Sequence, residues 1–237
     1  MRTPLPFLAA AATLALCFSA RADDKSDLDD IFRNVDAKAE TLKDLKAEFR
    51  QEKKMKVMKR PIVGKGSVSV KKTEKGPRIC WESWEVDPDT GETSAPQRML
   101  VLGDESKLVS FSLEDKTGEF TDLGKGKFEV QEFLTIGGSL SGMKKSFAVE
   151  LGGKPAEGKG WELKMTPTSE RLKKFIKELR LEIDPKEWIV SRIFVLEATG
   201  DTMEIRLSKF ELNAGVKEEL FKVPADVKLE EVKLDGK

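Results

Sequence analysis

The chain has 237 residues, 42 basic side chains balanced by 42 acidic ones, and no histidine. That balance excludes the basic domain that nucleic-acid binding usually demands. The missing histidine removes Ser-His-Asp and Cys-His catalysis, the usual zinc sites and the commonest general base at neutral pH.

In chain order, Arg2 gives a positive start and Leu5–Phe18 is a short apolar run without charge. Ala20-Arg21-Ala22 then fits a small-x-small cleavage site, so residues 1–22 are expected to be a signal peptide and 23–237 the exported domain. The run is shorter than the ~20 residues of a membrane-spanning helix. Leu16 stands where a lipoprotein box would need a small residue before Cys17. Cleavage would remove Arg2 and Arg21 and leave 215 residues, 40 basic and 42 acidic, which suits one sizeable domain. Cys80 would be the sole cysteine, so no intramolecular disulfide is available, and its place beside Trp81 predicts burial.

Ser26-Asp27-Leu28-Asp29 reads as a helix cap with acids in the first turn. Leu28, Ile31, Phe32, Val35 and Ala39 then recur at helical spacing. From Leu45 the period changes to two: Leu45, Ala47, Phe49, Met55 and Val57 are apolar, while Lys46, Glu48, Arg50, Glu52, Lys54 and Lys56 intervene. This predicts a long strand with one dry and one wet face. Pro61 to Gly66 reads as a break, Val68 and Val70 as a short strand, and Gly76-Pro77 as a turn. Arg78–Val86 resumes an extended run and the segment Asp87–Gly91 turns again. Short β runs follow at Met99–Leu102, Leu108–Leu113 and Phe147–Leu151. Within Leu123–Gly142, Phe128, Val130, Phe133, Leu134 and Ile136 suggest a short helix or loop. Trp161, Leu163 and Met165 alternate up to Pro167. Leu172, Phe175, Ile176 and Leu179 have helical spacing, yet Leu179, Leu181 and Ile183 have strand spacing. Two more strands are expected at Trp188–Glu197 and Thr202–Leu212. Many short strands with a helix or two give a sandwich, a barrel or a strongly curved open sheet.

The motifs of site chemistry stay incomplete. Asp87-Pro-Asp-Thr-Gly-Glu92 starts like a calcium loop but lacks the later ligands. Gly64-Lys65-Gly66 and Gly124-Lys125-Gly126 lack the ending and helix of a phosphate loop and read as hairpin punctuation. Glu82 and Glu85 around Trp84 fit solvated strand positions. The expectation is therefore a binding protein without enzyme activity, cofactor or metal. With 13 Phe, 4 Trp and no Tyr, the rings of Phe49, Trp81, Phe111, Phe147 and Trp161 suit a packed core or an apolar cavity equally. A half-closed sheet encloses room that side chains, a helix or a ligand must fill. The runs Lys53-Lys54-Met55-Lys56, Lys71-Lys72 and Lys144-Lys145 read as solvated faces that would favour an acidic membrane surface or partner.

Five pieces in order resemble one family. They are Thr41-Leu42-x-x-Leu45-Lys46-Ala47-x-Phe49-x-Gln51; Pro77-Arg78-Ile79-Cys80-Trp81; Leu163-Lys-Met-Thr-Pro167; Leu181-Glu-Ile183-Asp184; and Asn213-x-x-Val216 with Phe221-Lys-Val223-Pro224-x-Asp226-Val227. Together they resemble the LolA-type periplasmic outer-membrane lipoprotein carriers. The resemblance implies a mainly β fold, an incomplete, strongly curved antiparallel barrel with helices lidding its apolar concave face. It also implies a periplasmic monomer that takes acylated lipoproteins from an inner-membrane ABC transporter and passes them to an outer-membrane receptor. Phe49, Trp81, Val101, Phe111, Phe147 and Trp161 are then the candidate lipid-binding residues. The alternative is a LolA-like regulatory protein that senses lipids or lipoproteins, or an envelope scaffold. One position departs from the pattern: the family usually has an arginine before the proline of the Pro-x-x-x-Trp strand, and here Gly76 occupies that place. The arginine's role is not assigned to Lys71, Lys72, Lys75 or Arg78.

Overall fold

The computed structural model describes residues 17–123, 138–153 and 160–233, with side chains from Ser26 onward except that of Arg171. The central strand is β1 (Asp44–Lys54), which pairs on both edges. On one side follow β2 (Ile62–Thr73), β3 (Gly76–Val86), β4 (Gln97–Leu102), β5 (Lys107–Ser112) and β6 (Thr117–Asp122). On the other come β11 (Thr202–Leu212), β10 (Val190–Glu197), β9 (Ile176–Ile183), β8 (Trp161–Pro167) and β7 (Phe147–Leu151). The neighbours are antiparallel, and a last strand, β12 (Lys228–Glu231), runs parallel along β6. The sheet therefore has β12 and β7 as its edges. It is the large, curved, unclosed sheet that the family resemblance predicts, with one long helix among the described residues where the resemblance implies several.

Helix α1 (Cys17–Thr41) covers the concave side. Ile31, Phe32, Val35 and Ala39 lie on one stripe because they recur every three or four residues, and all four are buried. Beneath them lie Leu45, Val68, Ile79, Val101, Leu163 and Met165, each without exposed surface. At about 1.5–3 kcal/mol for each fully buried apolar side chain, this cluster is the main stabilising element. Asn213 fixes the junction of helix and sheet. Its Oδ1 accepts the Lys43 N–H at 2.7 Å, and its own N–H donates to the Asp44 carbonyl at 2.9 Å.

A second core lies on the convex side. Cys80, Leu100, Leu102, Val109 and Phe111 point away from α1 and are covered by Val216 and Phe221, with Leu220, Val223, Val227 and Leu229 around them. Residues 213–231 thus form a strap across β3–β6. Arg78 ties it down, donating to Asp104 and, at 3.1 Å, to Glu218 on the strap. Burial pushes the Cys80 thiol up to about 11, so it is a packed, unreactive group.

Several local expectations shift. The helix runs back to Cys17, through the expected cleavage position at Ala22 and the expected cap at Ser26. No glycine or proline in 17–25 interrupts it. Gly64 and Gly66 are not hairpin punctuation but interior positions of β2, and Gly76-Pro77 opens β3. Helical spacing at 172–179 yields only one turn, Glu170–Lys173, before β9 takes over. Strands β6 and β12 carry no clear alternation in the sequence. The expected helix or loop around Phe128–Ile136, and Gly124–Gly126, lie outside the described residues.

Candidate functional site

The inward rows of the central strands change character along their length. On β1 the row runs Leu45, Ala47, Phe49, Gln51; on β3 it runs Ile79, Trp81, Ser83; on β4, Val101, Met99, Gln97. Each is aliphatic under α1 and becomes amide or hydroxyl toward the end where β1 leaves for β2. The register brings these rows side by side: Phe49 opposes Leu207 and Gly66, Gln51 opposes Ile205, and Trp81 opposes Val68 and Met99.

Gly66 is required here by close approach. A Cβ at that position would lie 1.9 Å from the Glu82 carbonyl oxygen and 3.0 Å from the Phe49 ring. With only hydrogen present, the Phe49 ring leans across β2 and meets Trp81 edge to face, with centroids 4.9 Å apart at 72°. Such a pair contributes about 0.5–1.5 kcal/mol beyond its buried area. It closes the packed core on one side and floors a hollow on the other.

That hollow has a volume of about 310 Å³ and is bounded by Phe49, Trp81, Met99, Met203 and Ile205, with Gln51, Ser83, Gln97 and Ser110 at its rim. A second hollow of about 350 Å³ shares Phe49, Gln51, Ser83 and Gln97 and continues outward past Ile62 and Trp84. Both fall at the small end of the ~300–1,000 Å³ range of ligand sites. Arg98 borders the first hollow, its guanidinium held by Glu82. The indole Nε1–H of Trp81 is buried and, among the described residues, has no hydrogen-bond acceptor. Among the described residues, no three acidic or cysteine side chains gather into a metal-holding group. The arrangement offers apolar volume with a polar rim, which suits an apolar ligand with one polar end.

Two of the six sequence-predicted residues, Phe49 and Trp81, line this space. Val101 and Phe147 belong to the same concave core but are packed beneath α1, and Trp161 is half-buried at its far side on β8. Phe111 lies apart from them, because β5 turns Val109 and Phe111 to the convex core and presents Leu108 and Ser110 inward. The rim residues Ser83, Gln97 and Ser110, and Met203 and Ile205, escaped the sequence reading. Their signal was available for β3, where the apolar row Ile79, Trp81 ends in a serine.

Polar contacts hold the helix above the concave face, among them the ion pair of Lys38 with Glu187 at 3.0 Å. Lys72 Nζ donates to the Ala39 carbonyl in the last turn of α1. Lys144 stands over the Phe32 ring, 3.8 Å from its centroid. Asp36 accepts from both the Ser139 hydroxyl and the Leu140 amide at 2.8 Å, and also from Ser141. Burial raises the Asp36 pKa, but these hydrogen bonds outweigh it and hold the carboxyl below its ordinary value.

The family model described as outer membrane lipoprotein carrier protein LolA matches residues 40–224. No functionally curated protein matches the chain by sequence. Solved structures with a similar course include the MucA/MucB complex of Pseudomonas aeruginosa, at 12% identity and a TM-score of 0.46. The match covers 87% of this chain and 64% of that one, so the chain spans less than two thirds of that relative's length. A putative outer membrane lipoprotein-sorting protein domain from Vibrio parahaemolyticus matches at 12% identity and a TM-score of 0.39, over 84% of this chain and 97% of that one. A LolA superfamily protein from Nitrosomonas europaea matches at 10% identity and 0.38, over 80% and 96%.

Proposed function

Because the chain belongs to the LolA family of outer membrane lipoprotein carrier proteins, we propose that it is a periplasmic carrier that takes lipoprotein acyl chains into the hollow beside Phe49 and Trp81. The observation that carries this reading is the apolar space at the polar-rimmed end of an otherwise filled concave face. An acyl chain gains about 0.8 kcal/mol for each methylene it buries, so it does not cross an aqueous compartment without cover. Met99 and Met203 suit such a wall, since unbranched thioether side chains adapt to a flexible occupant.

The hollow is smaller than a whole acyl chain requires, and Ile31, Phe32 and Val35 occupy the remainder of the concavity. Loading therefore displaces α1, and the contacts of Asp36, Lys72 and Lys144 set how firmly it returns. A carrier needs that balance, because cargo held by a fully closed core would not be released. Export by cleavage after Ala22, collection from an inner-membrane ABC transporter and delivery to an outer-membrane receptor complete the reading, with no chemical step.

The test is to purify the protein from a periplasmic extract and analyse what accompanies it. Acylated protein in the purified sample, and lipoproteins stranded in the inner membrane after depletion, are expected. A sample free of acylated protein, with normal lipoprotein sorting but altered transcription after depletion, would replace the carrier with a sensor.

A further inference from the structure

Four large apolar side chains stand exposed among the described residues, and three of them share one end of the sheet. Val57 is 87% exposed and Met58 48% in the β1–β2 connection, and Phe175 is 65% exposed just before β9. The turn between β10 and β11 links them. Lys56 N–H donates to Asp201 Oδ1 at 2.9 Å, and Ala198 N–H donates to the Phe175 carbonyl at 2.8 Å. Met58 N–H closes its own turn on the Met55 carbonyl at 3.0 Å. The apolar tips are therefore presented on hydrogen-bonded turns.

The charge around them is basic. Lys53, Lys54 and Arg60 are engaged by Glu197, Glu52 and Asp89. Lys56, Lys59, Lys174 and Lys177 are exposed, and among the described residues none has an acid within salt-bridge distance. The loop with Asp87, Asp89 and Glu92 borders the patch on the β3 side and limits it there. Isolated apolar side chains interspersed with unpaired lysines match an anionic bilayer surface. The rings and methyl groups enter the headgroup boundary while the ammonium groups stay with the phosphates. A protein interface is depleted of lysine at its core, whereas here unpaired lysines stand beside both Val57-Met58 and Phe175.

We propose that Val57, Met58 and Phe175, with Lys56, Lys59 and Lys174, form a docking surface for anionic phospholipid bilayers. The same end carries the second hollow, which adjoins the first through Phe49, Gln51, Ser83 and Gln97: Ile62, at the start of β2, lines it immediately after the basic turn. Docking thus sets this second hollow against the lipid surface from which an acyl chain would enter or leave. This inference rests on the carrier reading only for its purpose, and its binding step is measured separately.

The test is co-sedimentation of the purified protein with phosphatidylglycerol-containing vesicles and with pure phosphatidylcholine vesicles, at low and physiological salt. A fluorescent acyl probe is titrated against the same preparations. Binding at least about tenfold stronger to the anionic vesicles, weakening with salt, is expected. Val57→Asp with Met58→Asp, and separately Lys56→Glu with Lys59→Glu, should each lower it by about tenfold while leaving probe binding unchanged. Equal binding to both vesicle types, binding to neither, or variants that bind as the parent does would overturn the docking surface. A probe that fails to bind the parent protein would overturn the cargo reading and leave the vesicle result standing.

Discussion

The two halves of the sheet bury their convex faces in opposite ways. Across β1, β11, β10, β9 and β8 that face is a ladder of charges. Arg192 reaches Glu182 and Glu204 at 3.3 Å and Glu162 at 3.4 Å, and Lys209 meets Glu48 at 2.8 Å. Across β3, β4 and β5 the same face is dry, because residues 216–229 lie over Cys80, Leu100, Val109 and Phe111. One half is a sheet with a single core beneath it, and the other is a sheet between two cores. The hollow lies at the seam of the two halves, with Trp81 and Met99 on the braced side and Phe49, Met203 and Ile205 on the wet one.

Phe111→Ala is expected to break this contrast hardest. Emptying the convex core should remove about 3–5 kcal/mol in urea unfolding, with acyl-probe binding of the folded fraction retained. Arg50→Ala, on the wet half, should stay within about 0.5 kcal/mol of the parent. Arg78→Ala releases the strap from Glu218 and leaves Asp104 without its guanidinium, and should remove about 1 kcal/mol. Its signature is proteolysis within the strap before the rest of the chain. If Arg78→Ala and Arg50→Ala prove indistinguishable, the strap is not held as described.

The smallest effect concerns pH. The hydrogen bonds from Ser139 and Ser141 depress the Asp36 pKa below 3.8. A depressed carboxylate contributes stability that is complete above its unfolded value and is lost as pH falls through its folded value. Thermal unfolding of the parent and of Asp36→Ala should therefore differ at pH 6 and converge as pH falls below about 3.8. A gap that widens in acid would contradict the direction assigned to this contact.

How much the sequence disclosed follows the same division. β1 was legible up to Gln51 because one of its faces is wet: Lys46, Glu48 and Arg50 lie between Leu45, Ala47 and Phe49, but the strand ends at Lys54, so Met55 and Val57, expected on the same dry row, fall in the turn, and Val57 is 87% exposed. β11 was legible for the same reason, to the residue. In β4 the run Met99–Leu102 is apolar on both faces, which is what burial on both sides produces and what alternation cannot resolve. Phe111 was misplaced with it, since nothing in β5 says which of two cores a phenylalanine joins. The cover itself, Val216, Leu220, Phe221 and Val227, has no strand or helix period to reveal it. Phe49 and Trp81 were found by their place in the family's motifs. Ser83 and Ser110 were missed because a polar residue on a dry row reads as noise until the fold brings both to one rim with Gln51 and Gln97.

The central claim is that an acyl chain lies against the inner face of Trp81. Replacing Trp84, Trp161 and Trp188 by phenylalanine leaves Trp81 as the only indole, and a fatty acid brominated along its chain can then be titrated while fluorescence is followed. Saturable quenching of Trp81 by the brominated acid, absent with its unbrominated counterpart and weakened by Phe49→Ala, is the predicted result. A folded single-tryptophan protein whose emission stays unchanged at saturating brominated acid would contradict the account.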